Sequence, residues 1–323
     1  MSVAVELRDR PVAAAEPEPR AQWRDVVDRF LADRWAVTAA SFLALLVIVA
    51  LAAPWIVGAV LHQSAYRQHM TDQVTIGGKA VDVVSDVGLP LGPNPQFPLG
   101  ADLVGRDVLS RILYGARVSL LVSTLGTLLA VAVGLAGGLL AGFYRGVADA
   151  LISRFVDAMM AIPVLLLAIA LASVLRHGSV WIVVLILALV NWTYLARIIR
   201  AEVLSLRERD FIEAARALGA RDRAILTRHM LPNLIGPIIV FATLSMAGNI
   251  LLESALSFLG VGIQPPTPSW GNMIQEGMGV YTVAWWITLF PGLAILLTVV
   301  SLNLMGDGLR DAFEPGSRDR RRP

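Results

Sequence analysis

The sequence predicts an all-α membrane protein with six transmembrane helices and with both termini in the cytoplasm. Three observations lead to this fold class. The 323 residues are 56% hydrophobic and only 16% charged, and their mean hydropathy is +0.66, a balance typical of multi-span membrane proteins. Six apolar runs are long enough to cross the hydrocarbon core as helices. Lysine and arginine are concentrated in alternate connections between those runs, which indicates an orientation.

The six predicted spans differ in length but share a nearly uncharged composition. A β-barrel is excluded because the runs are too long and show no alternation of polar and apolar residues. Pro163 in the third span and Pro291 in the sixth each remove a backbone donor, so both helices are predicted to kink. The spans are Ala36–Leu61, Val118–Tyr144, Phe155–Leu175, Ser179–Ile199, Leu234–Leu252 and Ala284–Leu304.

The basic residues predict which side of each span is inside. With the N-terminus inside, the cytoplasmic segments carry 21 of the 27 lysine and arginine residues, and the external segments carry six. Cytoplasmic segments of membrane proteins are enriched in these residues, so both termini are predicted inside. The formal net charge of +2 then reflects contacts with lipid headgroups, and no nucleic-acid partner is expected.

The segments outside the spans have distinct compositions. An apolar face at helical spacing indicates an amphipathic helix over residues 21–35, lying in the membrane interface or packed on the bundle; its members are Trp23, Val26, Val27, Phe30, Leu31 and Trp35. Residues 62–117 form an extracytoplasmic loop, with a short hairpin expected around Gly77 and Gly78 and a helical stretch before the second span. Residues 1–20 are predicted to be a disordered tail and residues 305–323 a cytoplasmic tail.

Gly134, Gly138 and Gly142 are spaced four residues apart in the second span. This spacing leaves one helix face without side chains at three positions. A neighbouring helix is therefore predicted to pack closely against that face.

Between the fourth and fifth spans lies the cytoplasmic loop 200–233, whose charge-dense part, Arg207–Asn233, is called the EAA segment below. It is predicted to fold as two short helices around a glycine elbow at Gly219, with the second helix over about Arg223–Met230. Its first helix carries an apolar face made of Phe211, Ala214, Ala215 and Leu218. A simple connection needs only a few residues, so a segment of this length favours a surface that docks into a partner.

The EAA segment resembles the loop of the same name in ATP-binding-cassette (ABC) importer permeases. The matching residues are Glu213-Ala214-Ala215, Gly219 and Leu231-Pro232, while His229 stands where the motif has an apolar residue. Three further stretches are similar to the C-type permease of the peptide/nickel subfamily. They are Gly100–Ser123, Glu253–Ile274 and Asn303–Pro315, and the resemblance extends from Trp23 to Pro315.

This resemblance implies a type I importer permease in the bacterial cytoplasmic (inner) membrane. The implied partners are a second homologous permease, two ATP-binding cassette ATPase subunits, an extracytoplasmic substrate-binding protein and the lipid bilayer. ATP and Mg would be bound by the ATPases, since this chain lacks the phosphate-binding G-x-x-x-x-G-K-[ST] loop and needs no cofactor of its own. Di- and oligopeptides are the first cargo candidates, and nickel chelates or other small solutes are the alternative.

The resemblance assigns ATPase coupling to seven positions of the EAA segment. Glu213 has two readings, a bond to a basic group of the ATPase or a local pair with Arg209 or Arg216. Gly219 would set the elbow angle, and the two alanines would permit close approach. The coupling residues are Glu213, Ala214, Ala215, Leu218, Gly219, Leu231 and Pro232.

Polar residues of the later spans are candidates for a translocation path. Each could instead form a hydrogen bond to a neighbouring helix, and the sequence does not separate the two roles. The principal candidates are Asn191, Tyr194, Ser245, Asn249, Glu253 and Ser254, with Thr193 and Asn303 as further members.

Two other function classes fit the sequence less well. An ion-coupled secondary transporter needs ionisable groups near the membrane midplane, and Asp157, Arg197 and Glu253 are placed near span ends. A membrane enzyme or metal protein is disfavoured because there is no cysteine and no catalytic motif around the four histidines. No catalytic or metal-binding residue is therefore predicted.

Overall fold

The computed structural model describes residues 19–175 and 178–313, and it describes side chains from Trp23 onward. The predicted disorder of residues 1–20 falls mostly outside this range, as do His177 and the last ten residues of the predicted C-terminal tail. The helices are α1 Pro19–Ala32, α2 Arg34–Trp55, α3 Val108–Tyr144, α4 Gly146–Met160, α5 Val164–Leu175, α6 Val180–Arg207, α7 Asp210–Ala217, α8 Asp222–Ala224, α9 Leu231–Phe258, α10 Trp270–Gly277 and α11 Trp286–Phe313; the strands are β1 Gln73–Ile76 and β2 Lys79–Asp82.

The N-terminal helix α1 includes most of residues 21–35, which were predicted to lie in the membrane interface or to pack on the bundle. Its outer face exposes Val27 and Leu31 in line with Trp35 at the start of α2. Its inner face packs on the end of α11, where the rings of Trp23 and Phe313 meet edge to face at 5.7 Å. Helix α1 is therefore a packing helix on one face, and its position in the membrane interface stays a prediction that the exposed apolar residues of the other face favour.

Helix α2 begins where the side chain of Asp33 accepts hydrogen bonds from the backbone N–H groups of Trp35 and Ala36. The helix continues through a π-helical turn to Val60, close to the predicted first span. The predicted hairpin follows in the external loop, with β1 and β2 antiparallel. Gly77 and Gly78 form its turn at φ values of +58° and +81°, which only glycine adopts readily.

Helices α3 and α6 pack side by side along the predicted glycine face. A Cβ atom added to any of four α3 glycines would lie within 3.0 Å of a side chain of α6, so the two backbones are in close contact. In every pair the α6 residue lies 61 positions further along the chain, which makes the two helices parallel. The pairs are Gly126 with Leu187, Gly134 with Leu195, Gly138 with Ile199 and Gly142 with Val203.

This parallel arrangement determines the number of spans. Within the described residues, five helices are long and apolar enough to cross a membrane alone, and α4 and α5 qualify only as a bent pair. Since α3 and α6 cross in the same direction, the chain must return across the membrane between them. The pair α4–α5 therefore acts as one broken span, and the total is six.

The third predicted span, Phe155–Leu175, is wrong as a single helix. The chain leaves helical geometry at Ala161–Pro163, and α4 and α5 meet at 92°. The missing donor of Pro163 explains a break at this point, and the neighbouring turn residues make the change of direction much larger than a kink. Pro291, by contrast, lies inside the continuous helix α11.

Other boundaries also differ from the prediction, among them the ends of α6 and α9, which lie eight residues past Ile199 and six past Leu252. Helix α3 starts ten residues before Val118 and so includes the helical stretch predicted before the second span; Asp107 caps it and accepts a 2.8 Å hydrogen bond from the N–H of Ser110. Leu231-Pro232 does not end a helix, since α8, a π turn at Ile225–Met230 and α9 run on without interruption. Helix α11 continues past Leu304 to Phe313, so the predicted tail begins as helix.

Candidate functional sites

The first helix and the glycine elbow of the EAA segment form as predicted, whereas the predicted second helix is the beginning of the continuous helix that includes α9. Gly219 follows α7 with a φ of +80°, and its N–H donates to the carbonyl of Arg216 at 2.9 Å. A Cβ at this position would meet no atom within 4 Å, so backbone conformation alone favours glycine here. Asp222 is the first residue of α8, and no side-chain hydrogen bond caps that helix.

Helix α7 is anchored by a residue outside the predicted apolar face. Ile212 is fully buried among side chains from the bases of α3, α6 and α9. The predicted face points the other way, and Leu218 is 88% exposed while Phe211 is 37% exposed. The buried anchor was missed because both faces of this short helix carry apolar residues. The members of the anchoring cluster are Phe143, Leu195, Ile199, Val203, Ile212, Ile225, Met230 and Leu234.

The exposed face of α7 carries the EAA residues. Glu213 and Ala214 are exposed and Ala215 is half-buried. Among the described residues, no ion pair within 4 Å involves Glu213, and Arg216 instead lies over the ring of Phe143 at 5.6 Å. Leu231 is half-buried and Pro232 exposed at the start of α9. Glu213, Ala214 and Leu218 are thus available to a partner.

Arginines hold the base of the EAA segment to α3. Arg207 donates a hydrogen bond to the carbonyl of Phe143, and its guanidinium lies 5.7 Å from the centre of that ring. Arg145, at the end of α3, is 3.5 Å from the carboxylate of Glu208. These contacts join the base of the EAA segment to the end of α3.

Several candidate path residues form hydrogen bonds between helices of this chain. Asn249 Nδ2 donates to Thr127 Oγ1 at 2.8 Å, and Asn191 Nδ2 donates to Asn249 Oδ1 at 2.8 Å. Glu253 is fully buried and accepts bonds from Ser119 at 3.0 Å and Ser257 at 2.8 Å. These contacts tie α9 to α3 and α6.

The other candidates occupy different environments. Ser254 is buried beside Glu253, Ser245 is half-buried, and Tyr194 is 40% exposed. Thr193 is buried and donates to the carbonyl of Val190, whereas Asn303 is exposed on α11. The translocation path stays a prediction for all of these residues, of which Tyr194, Ser245 and Asn303 retain exposed surface.

The external side contains a charged cluster that sequence reasoning missed. Arg111, 1% exposed, donates to the carboxylates of Asp102 and Glu276, and Arg106 donates to the same two groups at 2.6 and 2.8 Å. Two cations and two anions thus compensate one another away from water. The cluster fastens the stretch before α3 and the first turn of α3 to α10, which belongs to the connection between the last two spans.

Asp107, next to this cluster, illustrates the cost of burying a carboxylate. Its Oδ2 accepts from Ser110, while its Oδ1 is buried with no hydrogen-bond partner among the described residues. Burial raises the pKa of the Asp107 carboxyl above its ordinary value, and the bonds from Ser110 oppose that rise.

Two protein families match this chain. Residues 134–319 match the family described as binding-protein-dependent transport system inner membrane component. Residues 21–72 match the family described as N-terminal TM domain of oligopeptide transport permease C. Together the two matches include α1, α2 and the EAA segment.

Similar curated proteins are aligned over nearly the whole chain. The glutathione transport system permease protein of Pectobacterium atrosepticum is 38% identical over 309 residues, which is 96% of this chain and 94% of that relative. The protein of the same name from Escherichia coli O6:K15:H31 is 40% identical over 296 residues, covering 92% and 91%. Among solved structures, a chain of the MetNI methionine ABC transporter in an inward-facing conformation matches with a TM-score of 0.52 and 19% identity, covering 64% of this chain and 97% of that chain. This last likeness concerns the fold.

Proposed function

Because the chain belongs to the binding-protein-dependent transport system inner membrane components, the permeases of bacterial ABC importers, we propose that its cargo is short peptides, glutathione among them. The family match and the full-length similarity make it a multi-pass inner-membrane permease whose ATP hydrolysis resides in partner subunits. The peptide class is supported by relatives named for glutathione transport and by the match of residues 21–72 to an oligopeptide permease domain.

The proposed assembly contains this chain, a second homologous permease and two ATPase subunits that bind ATP and Mg. A substrate-binding protein delivers cargo from outside. Closure of the ATPases on ATP moves the EAA segment, and the helices attached to it alternate between outward and inward openings. This chain's part in the mechanism is mechanical, so its residues need only transmit force and enclose cargo.

One observation supports the coupling role most directly. Ile212, within α7, is fully buried in the base of the helix bundle, whereas Leu218, the C-cap of α7, is 88% exposed. Leu218 shares this exposed face with Phe211 and Ala214, and exposed apolar groups that lie together favour contact with another protein more than an isolated one does. The anchor keeps α7 rigid relative to α3, α6 and α9, as a lever requires.

Leu218→Asp tests this role. We expect ATP-dependent uptake to fall at least tenfold, because a charge would have to be desolvated in the ATPase groove at a cost of more than about 1.4 kcal/mol. The ATPase subunits should also be lost on purification. The matched control is Val87→Asp, since Val87 is 79% exposed on the external loop. Normal uptake by the Leu218 variant, with its ATPases retained, would contradict the coupling role.

The cargo is tested separately with the complete importer and its binding protein in proteoliposomes. We expect saturable, ATP-dependent uptake of radiolabelled glutathione or a labelled tripeptide, with each competing for the other. Radiolabelled nickel chelate is the comparison cargo. Uptake of nickel chelate without uptake of either peptide would overturn the peptide assignment and leave the coupling role untouched.

A further inference from the structure

A cleft of about 770 Å³ opens where the cytoplasmic ends of four helices meet. Its walls come from α1, the end of α6, the start of α9 and the end of α11. The volume lies within the roughly 300–1,000 Å³ common for small-molecule sites in proteins. The cleft is separate from the hydrogen bonds of Asn191, Asn249 and Glu253, and it is separate from the exposed face of α7.

Charged groups of both signs line the end of the cleft nearest the helix termini. Arg29 of α1 and Arg310 of α11 supply two guanidinium groups, and Asp25 of α1 and Glu202 of α6 supply two carboxylates. Asn233, near the start of α9, adds an amide. This end therefore complements a ligand that carries an anionic and a cationic group together.

The other end of the cleft is apolar and extends toward the membrane interior. Pro237, Val240, Phe241 and Leu244 follow one another along α9. Leu244 is eleven residues beyond Asn233, which corresponds to about 16 Å of helix. The lining of the cleft thus becomes less polar along α9, from the depth expected for lipid headgroups to the depth expected for acyl chains.

Helix α1 borders the mouth of this cleft, and its exposed apolar residues suit a bilayer surface. Val27, Leu31 and Trp35 form its exposed apolar stripe, at 51%, 60% and 74% exposure. Trp23 and Val26 of the same helix line the cleft. A molecule in the cleft would therefore be continuous with the cytoplasmic leaflet.

We propose that this cleft binds a phospholipid whose headgroup carries both a phosphate and a primary amine, as in phosphatidylethanolamine. The phosphate would lie against Arg29 and Arg310, and the ammonium against Asp25 and Glu202. One acyl chain would follow the apolar residues of α9. A short peptide shares the paired charges but has no need of an apolar wall of this length, which favours a lipid occupant.

The test uses the complete importer purified in mild detergent, with bound lipid measured by mass spectrometry. Delipidated protein is then titrated with phosphatidylethanolamine, phosphatidylcholine or phosphatidylglycerol, and its thermal stability is recorded. We expect phosphatidylethanolamine to be retained and to stabilise the complex most, because the quaternary amine of phosphatidylcholine donates no hydrogen bond and phosphatidylglycerol has no amine.

Variants locate the effect. Arg29→Gln should weaken the apparent affinity for lipid about fivefold, because one guanidinium near a lipid phosphate contributes about that factor to binding. Arg24→Gln is the matched control, because Arg24 is an exposed arginine of the same helix that does not line the cleft. Glu202→Gln should reduce the preference for phosphatidylethanolamine over phosphatidylglycerol. Val240→Trp should fill the apolar end and release the lipid even if the Arg29 variant disturbs the packing of α1.

Three results would overturn the proposal. The first is an equal loss of stabilisation by lipid in the Arg24 and Arg29 variants. The second is an unchanged stabilisation by lipid in the Val240 variant. The third is stabilisation by a short peptide that displaces no lipid and that no longer stabilises the protein when Val240 is enlarged. The last result would identify the cleft as part of the cargo route.

Discussion

Glu253 shows how this helix bundle retains a carboxylate in its interior. The residue is fully buried in α9, and hydroxyl donors from Ser119 of α3 and Ser257 of α9 reach its two oxygens at 3.0 and 2.8 Å. The hydroxyl of Ser257 also accepts from the backbone N–H of Ile263 at 3.0 Å. Burying a carboxylate is costly, so these bonds indicate a structural joint between α3, α9 and the chain that follows α9.

Two substitutions of Glu253 test whether its hydrogen bonds stabilise the protein. Glu253→Ala should lower the free energy of unfolding by about 2–3 kcal/mol, because two buried hydroxyls lose their acceptor. Glu253→Gln keeps one acceptor oxygen in place and should cost about 1 kcal/mol. Chemical unfolding in detergent, followed by tryptophan fluorescence, measures both. The joint has no energetic role if the alanine variant is as stable as the glutamine variant.

Single residues also mark the limit of what the sequence predicts. The left-handed conformation of Gly219 follows from its position after an amphipathic helix, and the structure confirms it. The partnership of Arg111 with Glu276 could not be predicted, because 165 residues separate them and each alone resembles a surface charge. Glu253 was recognised as polar, but its serine partners lie partly on another helix.

At the scale of helices, hydropathy predicted where spans exist and polar residues decided where they end. Helix α3 extends ten residues beyond its apolar run because Asp107 supplies a cap and the charges of Arg111 are neutralised in the external cluster. The third span looks continuous in hydropathy, and its break depends on backbone geometry at Ala161–Pro163. Hydropathy contains no information on the cap and ion pairs at the start of α3 or on the backbone break in the third span.

The contact between α3 and α6 depends on the absence of side chains at its glycines. A Cβ on Gly138 would lie 2.7 Å from the carbonyl oxygen of Ala196 and from Cβ of Ile199. Gly138→Ala should therefore force the helices apart and destabilise the permease by about 1–3 kcal/mol. Gly292→Ala is the control, since a Cβ at this position in α11 meets nothing within 4 Å. The close-packing interpretation fails if both variants unfold at the same denaturant concentration as the unchanged protein.

At the scale of the whole molecule, orientation and packing depend on one another. The parallel contact of α3 and α6 requires α4–α5 to cross the membrane, and the six resulting spans place both termini on one side. The bias of basic residues places that side in the cytoplasm. The EAA segment then lies on the cytoplasmic side, and the hairpin and the charged cluster lie on the external side.

The natural lack of cysteine allows this arrangement to be tested directly. Single cysteines at Val87 and Ser179 should react with a membrane-impermeant thiol reagent in spheroplasts, because both residues are exposed on the predicted external side. A cysteine at Val147 should react only in inverted vesicles, and one at Leu218 only in inverted vesicles stripped of the ATPase subunits, since both exposed residues lie on the predicted cytoplasmic side. Val147 and Ser179 flank the bent pair, so opposite reactivity at these two positions means that α4 and α5 together cross the bilayer. Equal reactivity would make the pair a re-entrant loop, and the parallel packing of α3 and α6 could then no longer hold with both helices spanning the membrane.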